Sequence, residues 1–327
     1  MKKILVPTDF SANANKALDF AVQIAKEAKA EILLIHTCEL LDTTLKDHLA
    51  IKREHNRKIV DEAKESLSLL KRSVQDKEQV IINTKLYDGV VTDTILHAVE
   101  ENNADFIIIG TRGHTPLSER IFGSTTSGIL GKTNVPTMVI SPLTEWHISS
   151  TNSPVAVVKE QSDIKPKSAP VLDKAETQTE IPPKATPVEV GKFAPDAILF
   201  ATNHFEENKE LLNQIVDVAK LFSSTIHVVV FVDTDLAEAY DYVYNTKELH
   251  HYIEFLKNTY PDVSFKGELL EGEEFEETIE KYNDKTGVDI VAMITYPKTF
   301  WDRLLKKKMT KEMAFHSKVP VLVVSGK

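Results

Sequence analysis

The sequence predicts an α/β protein made of two tandem, doubly wound, five-stranded parallel sheets arranged as a pseudo-dimer. Three observations predict it. Near-continuous apolar runs such as "KILVPT", "EILLIHTC" and "DFIIIG" alternate with amphipathic helical stretches, the pattern of strands covered on both faces and joined by right-handed crossovers. The same order of elements recurs in the two halves, and 327 residues suit two cores better than one. Between the halves, residues 149–192 hold six prolines and no aromatic residue, a composition that cannot offset its ordering entropy by burial. The expected domains are therefore 1–144 and 193–327, with 145–192 as an extended, semi-stiff linker.

In the first half, "KILVPT" is the opening strand, and the helix "NANKALDFAVQIAKEA" follows with Ala17, Ala21, Ile24 and Ala28 on one face. "EILLIHTC" is the second strand. A long helix carries Leu45, Leu49, Ile59, Ala63, Leu67 and Leu70 at helical spacing. "VIINTKLYDG", a short helix around Ile95 and Val99, "DFIIIG", a glycine-rich loop, another short helix and "VPTMVIS" complete the unit. The second half repeats it: "AILFAT", a helix with Leu211, Leu212, Ile215, Val218 and Phe222, "TIHVVVFV", and a helix through Tyr240, Leu249, Ile253 and Leu256. "VSFKGELLEG", "EEFEETIEKYN", "DIVAMIT" and "VPVLVVS" follow. The closing strands of the two halves are expected to pair edge to edge within one chain, satisfying edges that would otherwise invite aggregation; association of whole chains as homodimers through another surface stays open.

Net charge is −10, from 49 acidic and 39 basic side chains, so nucleic acid is not expected as a partner. "MKKILVPTDF" breaks its apolar run at Pro7, Thr8 and Asp9, too soon for a signal peptide or a membrane span, and a cytoplasmic location is expected. The single cysteine, Cys38, excludes an intramolecular disulfide and reads as a core or pocket-wall residue. His250 and His251 are adjacent and do not share a helical face, so they do not form a zinc pair.

In open parallel sheets, ligands collect at the carboxyl ends of strands, where strand order reverses. The residues to weigh follow strands 1, 2 and 4: Pro7, Thr8 and Asp9; Thr37 and Cys38; and the stretch "GTRGHTPLSERIFGSTTSG" from Gly110 to Gly128. Its glycines let backbone N–H groups approach a phosphate, and a helix starting after Gly123 adds its positive dipole end. Ser124, Thr125 and Thr126 suit that helix start, and Arg112 and His114 add charge. A glycine-rich loop after a strand is equally consistent with a phosphate cradle and with a plain connection. Asp9 suits either ligand contact or a loop-stabilising role.

Gly110, two residues, Gly113, nine residues, Gly123 and Ser124 resemble the G-x2-G-x9-G-[S/T] signature of the universal stress protein family. "KILVPTDFS", Gly89 before the third helix, "ADFIIIGTRG" and "VPTMVIS" carry the resemblance through the first half; in the second it rests on element order and short matches. The resemblance implies a Rossmann-like, adenine nucleotide alpha hydrolase-like fold and a cytoplasmic stress-response regulatory protein binding ATP or another adenine nucleotide, with or without magnesium. By the same resemblance, Asp9 meets the ribose or a metal-bridged group. Thr37 and Cys38 lie beside the base, and Gly110, Gly113, Gly123, Ser124 and Thr125 surround the phosphates.

In the second half, Ile294, Pro297, Lys307 and Lys308 stand at the four motif positions and Asn203 at that of Asp9. Proline removes an amide donor, and larger side chains fill the space a phosphate needs. This half is expected to be structural or to bind an unknown protein partner, with Phe300, Trp301 and Phe315 available to fill the ligand region. Two other functions stay open: a tandem scaffold that binds no nucleotide, and a slow ATPase. Against the latter, Asp9 and His114 are the only titratable candidates near the phosphates, and no paired carboxylates mark two metal positions.

Overall fold

The computed structural model describes residues 1–44, 48–111, 124–145, 193–235, 237–296 and 317–326. In the first half the order is β1 (Lys3–Pro7), α1 (Ala12–Ala28), β2 (Glu31–Cys38), α2 (Leu49–Glu78), β3 (Ile82–Asp88), α3 (Val91–Asn102), β4 (Phe106–Gly110), α4 (Ser124–Ile129) and β5 (Thr137–Ile140). The second half gives β6 (Ala197–Ala201), α5 (Lys209–Phe222), β7 (Thr225–Asp233), α6 (Ala239–Thr259), β8 (Phe265–Gly272), α7 (Phe275–Thr286), β9 (Ile290–Thr295) and β10 (Val321–Ser325).

The strands form one ten-stranded sheet in the order β3-β2-β1-β4-β5-β10-β9-β6-β7-β8. All pairings are parallel except β5 with β10, where Val139, Met138 and Thr137 face Val321, Leu322 and Val323 in antiparallel register. The expected join between closing strands is thus made within the chain. Three further bonds among the described residues fasten it: the Ser141 and Thr144 hydroxyls donate to the Ser317 carbonyl at 2.7 and 3.4 Å, and the Glu145 amide donates to the Lys318 carbonyl at 2.7 Å.

Both faces of the sheet are covered because alternate strand residues are apolar in both directions. One face buries Ile4, Val6, Ile32, Leu34, Ile108, Ile198 and Val228 under α1, α2, α5 and α6. The other buries Leu5, Leu33, Ile107, Leu199, Val229 and Val291 under α3, α4 and α7. At the start of the second half, Phe193 packs edge-on against Phe20 of α1 and Phe222 of α5, at ring separations of 5.2 and 5.6 Å, tying the two halves on one face.

Two expected core stripes hold only in part. Of the α2 positions, Ala63 and Leu67 are buried, whereas Leu49, Ile59 and Leu70 are half-buried and neighbouring Ile51 is exposed; Leu45 lies outside the described residues. Along α6, Leu249 and Leu256 are buried but Tyr240 is not, and it stacks instead on Tyr244. The unburied positions fall toward the leading ends of both helices, where helical periodicity does not translate into burial.

Candidate functional site

Strand order reverses between β1 and β4 of the first half, so a ligand crevice is expected at their carboxyl ends. Three segments meet there. After β1, the Thr8 amide continues the sheet by donating to Ile35 O at 2.8 Å, and the Thr8 hydroxyl accepts from the Phe10 amide at 3.0 Å. Asp9 Oδ1 accepts from the Ser11 amide at 3.0 Å, and the Ser11 hydroxyl caps α1 by accepting from Ala14 N at 3.1 Å. The chain reverses at Phe10, whose φ of 63° is uncommon for a bulky residue. The loop-stabilising role weighed for Asp9 is therefore realised by Oδ1, and the side chain is half-buried at the rim. Pro7 closes β1 opposite Ile35.

The second segment is the end of β2. Thr37 and Cys38 pair with Tyr87 and Asp88 of β3, and the Cys38 carbonyl accepts from the Gly89 amide at 3.2 Å. Cys38 is a buried free thiol, as a pocket-wall residue would be. Burial, with the Asp88 carboxylate as a lesser cause, pushes its pKa up, so it stays a neutral thiol and not a nucleophile. His36, which composition and motif did not single out, stands beside Thr8 and Phe10: its Nδ1 is 2.7 Å from Thr8 O, and its ring centroid is 4.6 Å from that of Phe10.

The third segment follows β4. A β-carbon on Gly110 would stand 2.9 Å from Asn13 Oδ1 and 3.0 Å from Asn13 O, so glycine is required here for α1 to cross the strand end. Asn13 is buried and donates from Nδ2 to Ile140 O at 3.1 Å, while the Thr126 hydroxyl donates to Gly110 O at 3.0 Å. Asn13 also escaped the sequence reading. Its signal was a polar residue on the helical stripe of Ala17, Ala21 and Ile24, since such a residue must find a partner when buried. Beyond Gly110, the Thr111 hydroxyl is buried with no hydrogen-bond partner, and so is Ser127 Oγ. Arg112, Gly113, His114 and Gly123 lie outside the described residues. The helix expected after Gly123 begins at Ser124, with Thr125 half-buried and Thr126 buried.

The second half supplies an internal comparison. Ile4 and Leu5 pair with Phe106 and Ile107 as Ile198 and Leu199 pair with Ile290 and Val291; with the β1–β2 and β6–β7 registers, this sets Asn203 on Asp9, Val230 on His36, Phe231 on Thr37, Ile294 on Gly110 and Thr295 on Thr111. Asn203 closes on its own sheet: Nδ2 donates to Phe231 O at 3.1 Å, and Oδ1 accepts from Phe231 N at 3.3 Å. The Phe231 ring packs edge-on against Phe275 at 5.4 Å. Ile294 fits where Gly110 must be glycine because α5 starts only at Lys209, well after Ala201, whereas α1 starts at Ala12, soon after Pro7. The Thr295 hydroxyl is also buried and unpartnered, so this feature is common to both halves and does not single out the first. Pro297, Lys307, Lys308, Phe300, Trp301 and Phe315 lie outside the described residues. Among the described residues no three His, Cys, Asp or Glu side chains cluster as metal ligands, and no helix is long and apolar enough to cross a membrane.

Comparison with known proteins agrees with this architecture. The model of the universal stress protein family matches residues 1–141 and 195–325. The chain is 29% identical over 159 residues to universal stress protein MJ0577 of Methanocaldococcus jannaschii, covering 42% of this chain and 94% of that protein. It is 28% identical over 147 residues to universal stress protein YxiE of Bacillus subtilis, covering 42% of this chain and 97% of that one. A solved universal stress protein from Archaeoglobus fulgidus shares the fold across 99% of this chain and 98% of its own, with a TM-score of 0.65 at 17% identity.

Proposed function

We propose that this chain, which belongs to the universal stress protein family through both of its halves, binds ATP or a related adenine nucleotide in its N-terminal domain and serves as a regulatory protein of the stress response. Residues 1–144 and 193–327 are taken as the two domains. One observation carries the reading. The glycine motif lies between Thr111, at the end of β4, and Ser124, where α4 begins, and β4 with β1, which leads into Asp9, are the strands between which order reverses; the second half has Ile294 in place of Gly110 and closes Asn203, in place of Asp9, onto Phe231.

In this reading Asp9 meets the ribose, Thr37 and the Cys38 wall meet the base, and Gly113, Gly123, Ser124 and Thr125 hold the phosphates through backbone N–H groups and hydroxyls, with Arg112 and His114 supplying charge. Pro7 and Thr8 set the turn, and Gly110 lets α1 close over it. Where magnesium comes with the nucleotide, Asp9 would meet it as a metal-bridged group in place of the ribose. The second domain takes no nucleotide; it completes the sheet through β10 and offers its surface to a protein partner. Nucleotide acts as a switch to the extent that it favours one arrangement of the joined halves.

A second reading, a scaffold that binds no nucleotide, draws support from Gly110 and Asp9, since the packing of α1 and the Ser11 turn account for both without a ligand. Equilibrium binding of a fluorescent adenine nucleotide to Asp9→Ala and Asn203→Ala separates the two. The proposal expects weakened binding in the first and unchanged binding in the second; equal behaviour of both variants would favour the scaffold.

A further inference from the structure

We infer that His36 is a positioning residue that sets Asp9 for its ligand by holding the Thr8–Ser11 turn. The purpose given to that positioning rests on the nucleotide reading; the positioning itself does not.

The geometry fixes the chemistry of the contact. Thr8 O is a carbonyl and offers only lone pairs, so the His36 Nδ1 that stands 2.7 Å away must carry the proton. The neutral ring is therefore the Nδ1–H tautomer. His36 follows Leu34 and precedes Cys38 on one face of β2, half-buried between two buried neighbours, with its ring against Phe10. One side chain thus grips the turn twice, at the carbonyl before Asp9 and at the ring after it. The grip opposes the conformational cost of the left-handed Phe10, which is of the kind found where a turn is held for function.

The second half repeats the experiment without the histidine. Val230 takes its place and cannot donate, and Asn203 takes the place of Asp9 and turns inward onto Phe231. A phenylalanine in the left-handed region persists there, Phe205 with φ of 46°, but it lies one position later and packs against Tyr252 at 5.5 Å. The donor and the acid are lost together, while a turning phenylalanine is kept in both halves. This pattern ties His36 to Asp9 more than to the turn alone.

The test uses the full chain, with His36→Val, which copies the second half, and His36→Asn, whose amide can place a donor near the site of Nδ1. Long-range proton–nitrogen spectra of labelled wild-type protein should show the Nδ1–H tautomer; the Nε2–H tautomer would overturn the assignment. Amide exchange in nucleotide-free protein should rise on the order of tenfold at Phe10 and Ser11 in His36→Val and be largely restored in His36→Asn, with the interior of α1 unchanged. Unchanged exchange at Phe10 and Ser11, or a loss spread evenly along α1, would reduce His36 to packing. Magnesium ATP should bind His36→Val roughly tenfold more weakly than wild type, with no further loss when His36→Val is added to Asp9→Ala; additive losses would show that His36 does not act through Asp9. Absence of ATP binding to wild type would remove the nucleotide reading and leave the exchange result to decide the positioning.

Discussion

Gly110→Ala isolates the packing demand at the site from any demand made by a ligand. The added methyl would lie 2.9 Å from Asn13 Oδ1, 3.0 Å from Asn13 O and 3.1 Å from Asn13 C. Two of these contacts are to the backbone of α1 and cannot be relieved by a side-chain rotation. Over-packing by one methyl costs about 1–3 kcal/mol, and the rigid contacts place this case in the upper part of that range. Gly110 does not adopt a left-handed φ, so alanine carries no backbone strain and gains about 0.4–1 kcal/mol from its less flexible unfolded chain. The net expectation is destabilisation by about 1–2 kcal/mol, present with or without nucleotide. Urea unfolding of nucleotide-free protein followed by circular dichroism measures it. An unchanged or raised midpoint would refute the seating of α1 over the end of β4, and a loss seen only with ATP present would return Gly110 to the ligand.

Three other outcomes follow from contacts elsewhere in the fold. Asn203→Asp should cost about 1–3 kcal/mol, because the carboxylate loses the donor to Phe231 O and faces a carbonyl instead, and it should not create a second nucleotide site; tighter ATP stoichiometry per chain would contradict this. Burial, with Lys266 adding to it, holds the His227 imidazole below its usual range, where Nδ1 meets the Tyr282 hydroxyl at 3.0 Å. The folded state thus prefers neutral histidine, so stability is full above the unfolded pKa near about 6.5 and falls as pH drops below it; His227→Phe should flatten the urea midpoint between pH 7.5 and pH 5.5, and an equally steep fall would assign the loss elsewhere. Phe193→Ala should cost about 3–5 kcal/mol, since the ring is buried between Phe20 and Phe222, and should separate the unfolding of the two halves in calorimetry; a single unshifted transition would show that the β5–β10 join alone couples them.

The strands were the most legible part of the sequence. Runs such as "FIIIG" and "VLVVS" have no polar face to hide, so they identify strands buried on both sides, and the observed β4 and β10 lie within them. Repetition then gave the two halves and their closing strands gave the join. Helix periodicity was less informative in the leading turns of α2 and α6: Leu49 and Tyr240 keep helical spacing, yet nothing in a one-dimensional pattern says that neither is buried there. At the site, spacing pointed to the ends of β1, β2 and β4 but could not separate two uses of glycine. Gly110 fits the motif and also has a purely steric duty against Asn13. Asn13 and His36 were overlooked for a related reason. Each is a single polar residue inside an apolar pattern, and its importance comes from a partner distant in sequence, Ile140 O for one and Thr8 O for the other.

The central claim is that the first half holds one adenine nucleotide and the second holds none. Isothermal titration of ATP with magnesium into full-length protein stripped of carried-over nucleotide tests it most directly, with Gly113→Pro as the control. One site per chain, lost in the variant, is the expected result. No binding to the stripped protein, or two sites per chain, would contradict it.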